Sequence, residues 1–209
     1  MPPPNAASHE ESLLRRIGAG DAAALEELLA LHRPLMHRVV EVRMEPALRG
    51  RIDPSDVVQE AQLEVARRID DYLERRPMPF AAWVRETTCE NLLRLRRHHL
   101  SAECRSVARE MPLPEGSSIF LARLALAGDS AALQKLVDSE LAERVNAALA
   151  RLPEADREIL LLRCYEELTN QEAAAVLGVD PNTCSQRFGR AIVRLRRLLV
   201  SDLAGDSHA

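Results

Sequence analysis

The stretch from Thr169 to Pro181 constrains this chain more than any other. Thr169-x-x-Glu172 is a capping box, which starts a short helix running through Leu177. Gly178 stands where a helix C-terminus needs a left-handed residue. Asp180-Pro181 then supplies an N-cap followed by proline at the first helical position, so a second helix runs from Pro181 towards Val200. Ala173, Ala174 and Ala175 are small enough to let the two helices cross closely. A short helix, a glycine turn and a longer helix form a helix-turn-helix.

The charge around this unit is polarised. From Asp138 to Asp180 there are ten acids against four arginines, while from Asn182 to Val200 there are five arginines and no acid. A net charge of −4 argues against a protein coated in nucleic acid, but this distribution fits a basic reading surface on an acidic body. The last helix directs Cys184, Phe188, Ala191, Leu195 and Leu198 inward. Asn182, Ser185, Gln186, Arg187, Gly189, Arg190 and Arg194 are left to a DNA-facing side. Arginine suits guanine edges and phosphates, and Ser and Gln reach base edges. Without a side chain at Gly189 the backbone can approach closely, so Arg190 is expected on bases and Arg194 on phosphates or the domain surface.

The rest of the 209 residues also reads as helix. Aromatics make up only 3%, and Leu, Ala, Arg and Glu replace the aromatic and β-branched residues that sheets favour, which predicts an all-α fold. Ser8-x-x-Glu11 opens a first helix that Gly18 and Gly20 end. Asp21 caps the next, which Pro34 should kink. After Asp53-Pro54 a third carries Val57, Ala61, Val65 and Ile69 in one line, beside an acidic ladder of Asp56, Glu60 and Glu64. Beyond a charged loop, Phe80, Trp83, Val84, Thr87, Asn91, Leu92 and Leu95 share one side of a fourth helix. Trp83 is expected in the core. From Arg105 to Val137 periodicity weakens, although Ile119 to Ala127 is too apolar for a random coil, and it is expected to pack on a domain or beneath a partner. The expected division is therefore two small helical domains, 8–104 and 138–203, joined by a connector, 105–137.

Several chemistries find no support. The N-terminus lacks the apolar core of a signal peptide, and no window of ~18 apolar residues could span a bilayer. The four cysteines form no CxxC pair, consistent with a reduced, cytoplasmic protein. His98, His99 and Cys104 cluster in sequence, but adjacent helical histidines diverge by about 100° and no further ligand has zinc-like spacing. No nucleophile–base pair or phosphate loop emerges. No metal, cofactor or catalytic residue is expected.

The run LPEADREILLLRCYEELTNQEAAAVLGVDPNTCSQRFGRAIVRLRRLL resembles the promoter-binding domain of bacterial sigma factors. RIDPSDVVQEAQLEVARRIDDY followed by FAAWVRETTCENLLRLRR resembles their second conserved region, in the expected order. The compact arrangement is similar to the extracytoplasmic-function (ECF) class, and RRHHLSAECRSVARE is similar to members from planctomycete-like bacteria. The resemblance implies a factor that gives the RNA polymerase core its promoter choice and opens the duplex. It implies core-polymerase binding by Asp53, Asp56, Val58, Gln59 and Glu60, whose acidic-apolar character suits a basic-apolar helical partner. It implies handling of the downstream promoter element by Tyr72, Arg75, Arg76, Trp83, Glu90, Asn91, Arg94 and Arg97, since melting needs a flipped-base pocket and a basic track. The upstream element falls to Thr183 and the last-helix residues named above, and the resemblance allows an anti-sigma factor as a further partner.

The sequence departs from that pattern in three places. Glu90 stands where the family usually has Asn, seven residues after the tryptophan, with Asn91 next to it. A carboxylate facing DNA is repelled unless it accepts from a cytosine amino group, which bears on the downstream preference. The loop between Tyr72 and Phe80 is longer than the usual glycine-containing version, and Ser185 replaces a common basic residue. Two other readings stay open: a helix-turn-helix regulator with an N-terminal dimerisation or sensing domain, and a helical adaptor that binds only protein. The run Asp56-Val57-Val58-Gln59-Glu60 discriminates, because a conventional regulator has no reason to carry it.

Overall fold

The computed structural model describes residues 4–44, 46–99, 113, 115–127 and 138–205, and every regular element among them is helical. The side chains of Arg97, His98 and His99, together with Cys104, fall outside the described residues, as do most of 105–114 and all of 128–137. The chain divides into two compact units, Met1–Met111 and Pro112–Ala209. The second unit therefore starts within the segment expected as a connector.

The first unit holds α1 (Pro4–Gly18), α2 (Ala22–Arg43), a single turn α3 (Pro46–Arg49), α4 (Pro54–Arg75) and α5 (Phe80–His99). Asp21 starts α2 by accepting from the backbone N–H groups of Ala23 and Ala24. α2 then continues through Pro34 to Arg43. Asp53 caps α4 by accepting from Ser55 N at 2.7 Å, with Pro54 in the first turn. The apolar line of α4 is buried from Val57 to Tyr72, and α2, α4 and α5 pack on one another.

Aromatic residues are scarce, and three of them are concentrated at one place in this core. Tyr72 meets Phe80 edge-on at 5.0 Å and Trp83 at 4.8 Å, and His32 of α2 meets Phe80 edge-on at 5.0 Å. Such geometries add about 0.5–1.5 kcal/mol per pair beyond area burial. The Tyr72 hydroxyl donates to the Met78 carbonyl at 3.0 Å, which ties the α4–α5 loop to the cluster. Burial pushes the Tyr72 phenol up to about 12.

The second unit comprises α6 (Glu115–Ala125), α7 (Asp138–Arg151), α8 (Glu154–Leu160), α9 (Asn170–Leu177) and α10 (Pro181–Gly205). A π-helical turn, Leu161–Tyr165, follows α8 directly. The apolar run of the connector segment is α6, with Leu121, Ala122, Ala125 and Leu126 buried against α7. The Asn146 side chain of α7 fixes the entry to α6 by accepting from Leu113 N at 2.8 Å and donating to Leu113 O at 3.3 Å. The inward line of α10 is Cys184, Ala191, Leu195 and Leu199, with Phe188 half-buried. Leu199 rather than Leu198 completes it, because one helical turn beyond Leu195 falls between the two and core packing selects 199.

Candidate nucleic-acid interface

The turn between α9 and α10 is built as its residues require. Thr169 accepts from Glu172 N at 3.3 Å while the Glu172 carboxylate accepts from Thr169 N at 2.6 Å, a complete capping box. Gly178 takes the left-handed conformation at φ 62°. Asp180 accepts from Thr183 N at 2.9 Å and from the Thr183 hydroxyl, and these bonds hold its carboxyl below the usual range. Asn170 Nδ2 donates to the Pro181 carbonyl at 2.8 Å, so the first turn of α9 is tied to the start of α10. Buried Ala173, Ala174 and Cys184 allow the close crossing.

This geometry exposes Asn182, Ser185, Gln186, Gly189, Arg190 and Arg194 on α10, with Thr183 and Arg187 partly covered. Thr183 is occupied by the cap. Arg190 bonds back to the Gln186 carbonyl at 3.3 Å, and Gly189, Arg190, Val193, Arg194 and Arg197 share one open face of α10. Arg194 is ion-paired with Asp156 of α8, so it is tethered to the domain surface. Val193, which the charge pattern overlooked, is 59% exposed on this face.

In the first unit the candidate residues divide between surface and core. Asp56, Gln59 and Glu90 are exposed, Glu60 is half-exposed, and Asp53 is occupied as the α4 cap. Val58 is only 2% exposed, because it joins Val57 in the core, so its side chain offers almost no surface to a partner. Asn91 is 3% exposed, donating from Nδ2 to the Val57 carbonyl at 3.3 Å and accepting from Arg94 at 2.7 Å. Its side chain thus holds α5 to α4 instead of facing outward, and Tyr72 and Trp83 are likewise buried in the aromatic cluster. Arg75 is exposed, while Arg76 ends α4 at φ 38° with its guanidinium on Glu11 of α1 at 2.9 Å.

Two acids of the α4 ladder, Glu60 and Glu64, are paired from α5. Arg94 reaches Glu60 at 3.0 Å and Glu64 at 3.9 Å, and Arg68 reaches Glu90 at 2.8 Å while lying over the Trp83 ring at 5.8 Å. Arg68 escaped the sequence reading. The signal was nonetheless present, since Asp56, Glu60, Glu64 and Arg68 follow one another in four-residue steps.

A two-unit helical chain whose last unit presents, behind a tight turn, a helix free of acids from Asn182 to Val200 belongs to the DNA-reading helix-turn-helix class. The comparisons narrow this class. The family model "Sigma-70, region 4" matches residues 142–195. The ECF RNA polymerase sigma factor ShbA of Streptomyces griseus is 30% identical over 192 residues, 90% of this chain and 93% of that protein. The ECF RNA polymerase sigma factor SigD of Mycobacterium tuberculosis is 29% identical over 188 residues, 90% of this chain and 82% of that protein. The solved structure of CnrH in complex with the cytosolic domain of CnrY has the same fold, with a TM-score of 0.52 at 22% identity, covering 93% of this chain and 99% of that one. The chain belongs to the ECF RNA polymerase sigma factors. Its function is to direct RNA polymerase to specific promoters and initiate transcription. No described helix is long and apolar enough to cross a membrane.

Proposed function

We propose that this sigma factor divides its work between three surfaces. The exposed α4 residues Asp56, Gln59 and Glu60 dock the factor on the polymerase core. The α5 side with Glu90 and Arg94, together with Arg75 and Arg97, receives the unpaired downstream promoter element. The exposed side of α10 reads the upstream element in the major groove through Ser185, Gln186 and Arg190, and the remaining arginines serve phosphates. The observation that carries this reading is the acid-free outer side of α10 held behind a fully capped turn. On it the domain limits 8–104 and 138–203 correspond to core-binding and promoter-binding parts. The factor works in the cytoplasm beside the polymerase and performs recognition rather than catalysis. CnrH is solved with the cytosolic domain of CnrY, and an anti-sigma factor that covers the polymerase-docking or DNA-reading surfaces is the corresponding partner proposed here.

The test is run-off transcription of genomic fragments by core polymerase reconstituted with the full chain. Discrete start sites that depend on the added chain support the reading. Tight, sequence-specific duplex binding by the free chain, with no start site gained by polymerase, would instead favour a conventional helix-turn-helix regulator.

A further inference from the structure

Glu90 is an acid on the side of α5 proposed to receive single-stranded DNA, and a bare carboxylate there would repel the backbone. The structure gives it a specific companion. Arg68 Nη1 donates to Glu90 Oε2 at 2.8 Å, while the same guanidinium lies over the indole of Trp83 at 5.8 Å. Trp83 is itself fixed between Tyr72 and Phe80. A planar cation held against a ring on one side and a carboxylate on another keeps few of its rotamers. Among the described residues Oε1 of Glu90 has no hydrogen-bond partner, and the Glu90 side chain is exposed.

We propose that Arg68 is a positioning residue for base choice in the downstream element. It neutralises Glu90, holds one oxygen, and turns the other outward as an acceptor for the exocyclic amino group of an unpaired cytosine. Carboxylates accept from cytosine N4, and a guanidinium donor beside the carboxylate matches the adjacent ring acceptor of the same base. This inference rests on the proposed placement of α5 against the melted strand. It adds a second residue of α4, after Arg75, to a reading made mainly by α5.

The experiment is transcription by core polymerase carrying the full chain, on a promoter library randomised through the downstream element. Measured per position, the unmodified chain should prefer cytosine at one position by about 10-fold, the scale of one good base contact. Both Arg68→Ala and Glu90→Ala should flatten that preference to within about 2-fold while leaving the other positions unchanged, and the double variant should add nothing further. Exchanging the two residues (Arg68→Glu with Glu90→Arg) keeps an ion pair and, by circular dichroism, the fold. It puts a cation at the reading position, so the cytosine preference should stay lost. Recovery of that preference by the exchange would reduce the pair to a helix-to-helix tie and overturn the proposal. So would an Arg68→Ala chain that transcribes every promoter less but keeps its cytosine preference. An unmodified chain with no preference removed by Glu90→Ala overturns the placement of α5 as well, which separates that failure from the failure of Arg68 alone. Arg68→Lys, which keeps charge but not the planar fork, should retain only part of the preference if the first variant folds poorly.

Discussion

Gly178 shows how a single backbone angle controls the reading helix. Its φ of 62° is costly for a residue with a Cβ, although a Cβ there would touch nothing within 4 Å. The cost of Gly178→Ala is therefore conformational alone, about 1–2 kcal/mol, read as a fall in the thermal midpoint of the second unit. The two arginines one turn apart on α10 should behave differently. Arg190→Ala should cost about 1–3 kcal/mol at one upstream position and relax preference there. Arg194, held off the bases by Asp156 and proposed to serve a phosphate, should when replaced by Ala weaken all promoters alike and lower the salt slope by about one. A promoter library transcribed with each variant distinguishes them, and an exchange of the two phenotypes would show that α10 is rotated relative to the groove. The burial of Trp83 was legible from its spacing with Phe80 and Val84. That of Asn91 against exposed Glu90 was legible only in part: one residue is a 100° rotation, and periodicity put Asn91 on the apolar side while the family motif drew it to DNA. The pairing of Arg194 with Asp156 spans 38 residues, and no local pattern announces it.

At the scale of elements, α4 separates two acids that look alike in sequence. Asp56 is exposed in the first helical turn, where its charge suits the helix dipole, whereas Glu60 is held by Arg94. Asp56→Arg should abolish co-purification with core polymerase while costing only its helix-dipole contribution, about 0.5–1 kcal/mol. Glu60→Arg should do the same and also lower the thermal midpoint, because it sets two guanidinium groups side by side. Retained association by both variants would remove α4 from the polymerase interface. α6 offers a cleaner test of packing. Leu121 and Leu126 are fully buried, so each truncated to Ala should cost about 2–5 kcal/mol, while Phe120, 53% exposed, should cost little. Chemical denaturation of the three variants checks this order. The apolarity of 119–126 was plain in the sequence, but its partner α7 was not, because helix-to-helix pairing depends on matching surfaces rather than on local periodicity. The acidic ladder was equally plain, and the pairing of two of its acids with Arg94 of α5 was hidden for the same reason.

The whole molecule carries a net charge of −4, and its DNA-facing arginines are confined to small patches. The free chain should therefore bind duplex promoter DNA weakly, near ~10⁻⁴ to 10⁻⁶ M at physiological salt, and gain specificity only with core polymerase. Fluorescence anisotropy with and without core checks this, and nanomolar sequence-specific binding by the chain alone would refute it. The aromatic cluster of the first unit has an optical consequence as well. The sequence contains one tryptophan, Trp83, packed against Tyr72 and Phe80 beneath the guanidinium of Arg68. Its emission is thus a native label on the first unit. Emission and far-ultraviolet dichroism should part company wherever the two units melt at different temperatures. A base settling beside Arg68 would announce itself as quenching, without any dye attached to the chain.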